Sequence, residues 1–450
     1  MRGLLGAAAR LASAFGREER GSIEKKPAIR LFGRLGLWRY RLLAFLSIIG
    51  PGIITANADN DAGGISTYSV AGARYGYSLL WLLFIVTFSL AVTQEMGART
   101  GAATGKGLAA LIRERYGVKW TFFAMVCTLF ANLATTIAEF AGVAAAGEIL
   151  GVPRWISVPI TAVLVWVLVV RYSFRSVERV FLFLSAIYIA WPLSAILVHP
   201  PWGEALRHLV TPSFQWDASY ILLFVAFVGT TITPWGQFFI QAYVVDKGIG
   251  PREYPATRVD VIIGAFLTDV MSFFMIVATA STLFAKGIPI TSAADAAIAL
   301  QPLAGALASE VFAVGLLNAS LLAASILPLA TAYTLCEAFG WEAGVDRSWG
   351  EAPAFHSLYV FAIAFGALFA LIPGLPLLNV MLFAQDVNGI LLVVVLVFAI
   401  RIASSRAVMG EYANGRLGNL IAWATAAGLI ILTILLIAAS LAPVFGIDVG

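Results

Sequence analysis

The strongest constraint on this chain is a succession of apolar runs, each near the ~20 residues that carry an α-helix across bilayer hydrocarbon. By that length, roughly eleven candidate spans follow one another, near residues 43–73, 78–98, 120–150, 154–171, 180–198, 219–245, 258–285, 303–336, 356–374, 376–401 and 418–446. Lipid offers the backbone no hydrogen-bond partner, so repeated crossings by such runs read as an all-α membrane protein. The polar inventory agrees. Only 12% of the 450 residues are charged and 60% are hydrophobic, whereas a soluble domain carries about 25% charged residues on its surface.

Charge sets the orientation. The stretch 1–42 is basic, with Arg2, Arg10, Arg17, Arg20, Lys25, Lys26, Arg30, Arg34, Arg39 and Arg41, and reads as a cytoplasmic arm that can lie on anionic lipid. With the N-terminus inside, cytoplasmic loops receive Arg99, Lys106, Arg113, Arg115 and Lys119, then Arg171, Arg175 and Arg179, then Lys247, Arg252 and Arg258, then Arg401, Arg406 and Arg416. The opposite loops hold little more than Arg74, Arg154, Arg207 and Lys286, the bias of a bacterial-type inner-membrane protein. The acidic loop at 337–355 runs against that bias. The net charge of +4 is thereby a topology signal and gives no reason to expect nucleic acid. Cys127 and Cys336 form no Cys-x-x-Cys pair, and His199, His208 and His356 fall at segment ends. With no nucleophile elbow, His/Glu metal pattern or phosphate loop, nothing points to an enzyme.

Two spans are interrupted where apolar residues should continue. The first carries Gly50-Pro51-Gly52 and then Asn57-Ala58-Asp59-Asn60-Asp61-Ala62-Gly63-Gly64; the sixth carries Gly229-Thr230-Thr231-Ile232-Thr233-Pro234-Trp235-Gly236-Gln237. Non-helical backbone at membrane depth survives only where it lines a protein cavity. Spans one and six are equivalent if 43–198 and 219–401 are inverted repeats of five helices each, with 418–446 added outside them. Paired breaks at equivalent places are the best sequence pointer to a transporter's binding site.

At these residues the chain resembles the natural resistance-associated macrophage protein (NRAMP) family of divalent-metal transporters. The likeness includes Gly50-Pro51-Gly52, Gly76-Tyr77-Ser78-Leu79-Leu80-Trp81, Thr104-Gly105-Lys106 with Arg113-Glu114-Arg115-Tyr116, Ala138-Glu139 with Gly142, and Met409-Gly410-Glu411. The resemblance implies a LeuT-like inverted-repeat fold, 5+5 helices with helices 1 and 6 broken, and alternating access to a midplane metal site. The family's Asp-Pro-Gly-Asn stands here as Asp61-Ala62-Gly63-Gly64, and its Met-Pro-His-Asn as Thr233-Pro234-Trp235-Gly236. The glutamine expected in the tenth span is Gln385, followed by Asp386 and Asn388. These departures resemble the NRAMP-related magnesium transporter branch.

Thioether sulfur selects softer transition metals, whereas carboxylate, hydroxyl, carbonyl and water suit Mg2+. Asp61, Thr230, Thr233, Gly64 and Gln385 form the expected metal-binding set, with Ala62, Gly63, Gly64 and Gly236 leaving room for a partly retained hydration shell. Asp61 could instead simply cap its helix, and Thr230 and Thr233 could bond back to their own. Asp59, Asn60, Asp269, Asp386 and Glu139 are a candidate ion path, because acids inside a membrane are functional by default. Asp59 can gather cations at the outer mouth or merely face water, Asp386 can face the cavity or pair with an arginine, and Asp269 needs either a partner or an aqueous cavity. The resemblance makes Glu139 a proton-path acid, but Thr136 replaces the family's preceding aspartate and Trp235 its histidine, so the expectation is a structural Glu139 and no proton coupling. The expected partners are Mg2+, with Mn2+ also carried, and the bilayer; no cofactor and no obligate protein partner is called for.

Overall fold

The computed structural model describes residues 60–171, 185–345 and 347–441. The basic arm, Gly50-Pro51-Gly52, Asn57, Asp59, Arg175 and Arg179 lie outside the described residues. The chain is helical throughout, with no strand among the described residues: α1 (Ala62–Tyr75), α2 (Leu80–Thr104), α3 (Leu108–Ile149), α4 (Arg154–Arg171), α5 (Ala190–Leu197), α6 (Trp202–Val210), α7 (Ala218–Thr231), α8 (Pro234–Asp246), α9 (Tyr254–Thr282), α10 (Ala308–Phe339), α11 (Pro353–Ala370), α12 (Leu377–Ala403) and α13 (Arg416–Leu441). A 3-10 turn, Ser185–Ile189, leads into α5. Among the described residues eight segments are long and apolar enough to cross a bilayer, α7 and α8 together counting as one, and two shorter apolar helices cover 154–169 and 186–197.

Where the described residues cover them, the expected spans match these helices to within about six residues, except that α3 begins at Leu108 and not near 120; residues 43–59, 180–184 and 442–446 of the first, fifth and eleventh spans lie outside the described residues. Its first turns bury Leu108, Ala109, Leu111 and Ile112 while exposing Arg113, Glu114 and Arg115, an amphipathic pattern that a count of apolar length passes over. This leg meets the long apolar part at Gly117, whose φ of 76° and ψ of 178° only glycine adopts without strain. The loop connections also hold helices that apolar length did not announce, among them α6, whose first turn carries Glu204 and whose last carries Arg207 and His208.

The acidity of 337–355 is spent locally. Glu337 reaches the amide end of α3 at Gly107 and Ala109, Glu342 pairs with Arg347 at 2.7 Å, and Glu351 accepts the Ser348 N–H at 2.7 Å. Elsewhere Arg99 pairs with Glu95 at 3.1 Å and also binds the Tyr412 carbonyl and Asn414, tying α2 to the segment before α13.

At the centre stands α1, whose residues from Ala62 to Ala73 are all buried because α3, α7, α9, α10 and α12 pack around it. Packing is tightest where α7 crosses α12. A methyl on Gly229 would lie 2.2 Å from the Gln385 carbonyl oxygen and 2.7 Å from Gly389 Cα, and one on Gly389 would lie 2.6 Å from the Val225 carbonyl oxygen. Small residues allow such backbone-to-backbone approach, a main source of association between helices in lipid. The outer helices turn Phe84, Phe88, Ile263, Leu368, Phe383 and Leu420 outward, as a lipid-facing surface requires.

Candidate metal-ion site at two helix breaks

Asp61 stands where α1 begins. Its backbone is extended, and Oδ1 accepts the Gly64 N–H at 2.6 Å, an N-cap of the usual kind. Glu139, on α3, accepts the Ala62 N–H through Oε2 at 3.3 Å, and its carboxyl stands beside that of Asp61. Two acids therefore meet at one helix N-terminus, whose positive dipole end offsets part of their charge. The Tyr188 hydroxyl closes over this group and donates to the Asn60 carbonyl at 3.3 Å, while Asn60 Nδ2 donates to Thr268 Oγ1 on α9 at 2.8 Å.

The second break repeats the construction. Helix α7 ends at Thr231, Ile232 leaves helical geometry, and Thr233 caps α8 by accepting the Gly236 N–H at 3.2 Å. Pro234 has no N–H, so the Thr230 carbonyl is left without its helical donor. The Thr230 hydroxyl is buried and has no hydrogen-bond partner among the described residues; the same holds for Trp235 Nε1. Tyr68 of α1 meets Thr231 at 2.8 Å, joining the two broken helices directly.

Gln385 of α12 bridges both breaks. Its side chain fills the space beside Gly63, with Nε2 1.7 Å from where a methyl there would sit, and its carbonyl abuts Gly229. Oε1 accepts from Asn388 Nδ2 at 2.8 Å, and Asn388 in turn contacts Thr135 of α3. One turn earlier on α12, Met381 Sδ accepts the Ser66 hydroxyl at 3.4 Å.

The structure thus gathers Asp61, Gly64, Thr230, Thr233, Gln385 and Glu139 around the two breaks. The Gly64 amide is spent on Asp61, and Gly63 and Gly236 serve close approach to Gln385 and Gln94; these small residues hold protein where open space was expected. Asp269, on α9, faces Thr87 of α2. Asp386 is buried about 100° round α12 from Gln385, and its Oδ1 has no partner among the described residues. Sequence reasoning passed over Thr135, Tyr188, Gln94 and Met381. The available signal was polar side chains inside apolar spans, but threonines that merely bond back to their own helix give the same signal.

Among the described residues no three His, Cys, Asp or Glu side chains converge. The groups gathered here are carboxylate, hydroxyl, amide and main-chain oxygens, the kind of donor set that suits a hard cation. Asp61, Glu139, Thr230, Thr233 and Gln385 are each at most 1% exposed.

A capped helix start and a capped helix break, meeting among membrane-length helices with their polar groups buried, are the arrangement expected of a transporter's binding site. Comparison with known proteins places it further. The family model described as "Natural resistance-associated macrophage protein-like" matches residues 52–439. Among curated proteins, "Divalent metal cation transporter MntH" of Ralstonia nicotianae is 29% identical over 404 residues, covering 86% of this chain and 89% of that one. A crystal structure of the Eremococcus coleocola manganese transporter superposes with a TM-score of 0.73 at 22% identity, covering 94% of this chain and 90% of the other. MhsT, solved in complex with L-phenylalanine, superposes with a TM-score of 0.55 at 16% identity, covering 86% of this chain and 98% of the other.

The chain belongs to the natural resistance-associated macrophage protein family. It has the LeuT-like fold and is a multi-pass membrane transporter of divalent metal, not an enzyme; the metal is cargo and not a resident cofactor.

Proposed function

We propose that the chain carries Mg2+ into a bacterial cell across the inner membrane, with Mn2+ as a second cargo, by alternating access driven by membrane potential and without proton coupling. The N-terminus lies in the cytoplasm, and residues 43–198 and 219–401 are the two repeats. The observation that carries this reading is the second break. Thr233 presents a hydroxyl where a soft thioether would discriminate against hard ions, and the buried indole of Trp235 has no basic nitrogen to accept a proton. Asp61 is the charged ligand, Thr230, Thr233 and Gln385 complete an oxygen-rich cage, Gly64 shapes it by holding Asp61, and Asp59, Asn60, Asp269 and Asp386 mark the ion's route. Glu139 anchors the start of α1.

Energetics support the absence of coupling. One charge crossing 100 mV is worth ~2.3 kcal/mol, so a divalent ion gains about twice that, enough for a gradient on the order of 1,000-fold. An abundant ion needs no further driving force.

A proton-coupled Mn2+ or Fe2+ carrier is the second reading. It is favoured by the Glu139 carboxyl beside Asp61, by the Met381 sulfur one turn from Gln385, and by the relatives' names. Proteoliposomes with an interior pH dye and an imposed inside-negative potential separate the two. Mg2+ flux that follows the potential and leaves internal pH unchanged is the expected result, whereas acidification in step with uptake, or Mn2+ flux with no Mg2+ flux, overturns it.

Thr233→Met adds a thioether at the second break while α8 keeps its other contacts. The Mn2+ to Mg2+ uptake ratio should rise about tenfold, roughly 1.4 kcal/mol of differential binding. Competition between the two ions in the same vesicles measures it.

A further inference from the structure

Deep in the bundle lies a pair of amides whose arrangement favours the absence of cargo. Gln385, Asn388 and Thr135 are each 0% exposed. Asn388 Nδ2 donates to Gln385 Oε1 at 2.8 Å, which turns the Gln385 NH2 group towards the first turn of α1. There Nε2 lies against Gly63 and has no hydrogen-bond partner among the described residues. An orphaned buried donor is costly and calls for an explanation. It is also the wrong end of the amide for a cation, since an NH2 group repels positive charge and only the oxygen can ligate.

The partner of Asn388 shows how the arrangement can reverse. Thr135 Oγ1 lies 2.9 Å from Asn388 Nδ2 and 3.1 Å from Asn388 Oδ1, so the hydroxyl meets nitrogen and oxygen of the amide almost equally. A hydroxyl both donates and accepts. It can therefore accept from the Asn388 NH2 while donating to the Ala131 carbonyl 3.0 Å away, or turn its proton onto the Asn388 oxygen. If Asn388 turns over, its oxygen faces Gln385, the Gln385 NH2 becomes the donor between the two, and the Gln385 oxygen swings towards the break. Both amides stay hydrogen-bonded to each other in either state; only the group offered to the break changes.

We propose that Asn388, supported by Thr135, is a positioning residue that decides which end of Gln385 faces the ion, and that the two amides turn over together as a cation arrives. The inference rests on the reading that the breaks hold the cation. In the structure described here the NH2 group lies against Gly63 in the first turn of α1, a partial positive charge standing where the cargo would. Binding trades it for a ligand oxygen, so selection of the oxygen-out state is part of the binding free energy.

The test is a double-mutant cycle on half-saturation for uptake, run with Mg2+ and with Mn2+. Asn388→Asp is isosteric and, ionised, acceptor-only, so it holds the Gln385 NH2 and fixes the oxygen-out state. Half-saturation should fall several-fold with maximal rate changed less than twofold. In a Gln385→Leu background the same substitution should do nothing. Asn388→Leu should raise half-saturation about tenfold in the parent and less than twofold in the Gln385→Leu background. Equal effects in the two backgrounds overturn the proposal, since they mean that residue 388 acts through its own charge or through packing. Should Asn388→Leu fail to accumulate, the Asn388→Asp arm decides alone. A cycle that couples with Mn2+ while Mg2+ is not carried sinks the Mg2+ reading and leaves this one standing.

Discussion

Asp61→Asn stops metal uptake, by about 100-fold or more, and leaves the protein folded. The two halves of that expectation have separate origins. Asp61 caps α1 through one oxygen on the Gly64 N–H, and asparagine caps a helix as well as aspartate does, so thermal stability in detergent should change little. The lost charge is the part an ion feels. A single charged ligand in a site shielded from water contributes several kcal/mol to a divalent cation, and every 1.4 kcal/mol is tenfold. Tracer uptake together with a melting curve on the same preparation checks both. A variant that transports at more than a tenth of the parental rate would remove Asp61 from the ion's coordination and leave it a cap.

Gly229→Ala should act in the opposite way, through the fold. The added methyl meets the Gln385 carbonyl at 2.2 Å and the Gly389 amide nitrogen at 2.4 Å. Both are backbone atoms of α12, which cannot rotate out of the way. Overpacking of this kind costs about 1–3 kcal/mol or more, and relief means pushing α7 away from α12, which also draws Thr230 away from Gln385. A lower melting temperature and a weakened half-saturation should appear together. Gly418→Ala is the control. Nothing lies within 4 Å of a methyl at Gly418, and within α13 alanine gains up to about 1 kcal/mol over glycine. A parental melting curve for Gly229→Ala would mean that α7 and α12 do not cross as closely as described.

Much of this architecture is legible in the residues because lipid leaves few alternatives. Runs such as Phe224–Val228 and Leu391–Ile400 read as membrane helix, and Thr230-Thr231-Ile232-Thr233-Pro234 reads as a break, although Pro328 sits among hydroxyls inside the continuous helix α10. Asp61 shows where legibility ends. The sequence admits a cap or a ligand, and the geometry makes it a cap while setting it beside Glu139 and the turn that Gln385 touches. Partners far apart in the chain were hidden altogether. Thr135 with Asn388 and Ser66 with Met381 are joined only by helix rotation and tilt, which no local pattern encodes. The short leg at Leu108 was missed for the opposite reason, because its charged face diluted the apolar signal.

The closing of this centre has a consequence for speed. Tyr188 is bonded over the first break and Tyr68 is bonded to Thr231, and the polar groups of both breaks are buried among the described residues. Under the alternating access proposed above, each passage requires packed helices to part on one side and reseal before the other side yields, and collective motions of that kind take microseconds to milliseconds. Such a mechanism makes the protein a turnstile: throughput saturates at a low ceiling set by its own rearrangement, and a cell that needs more flux has to make more copies.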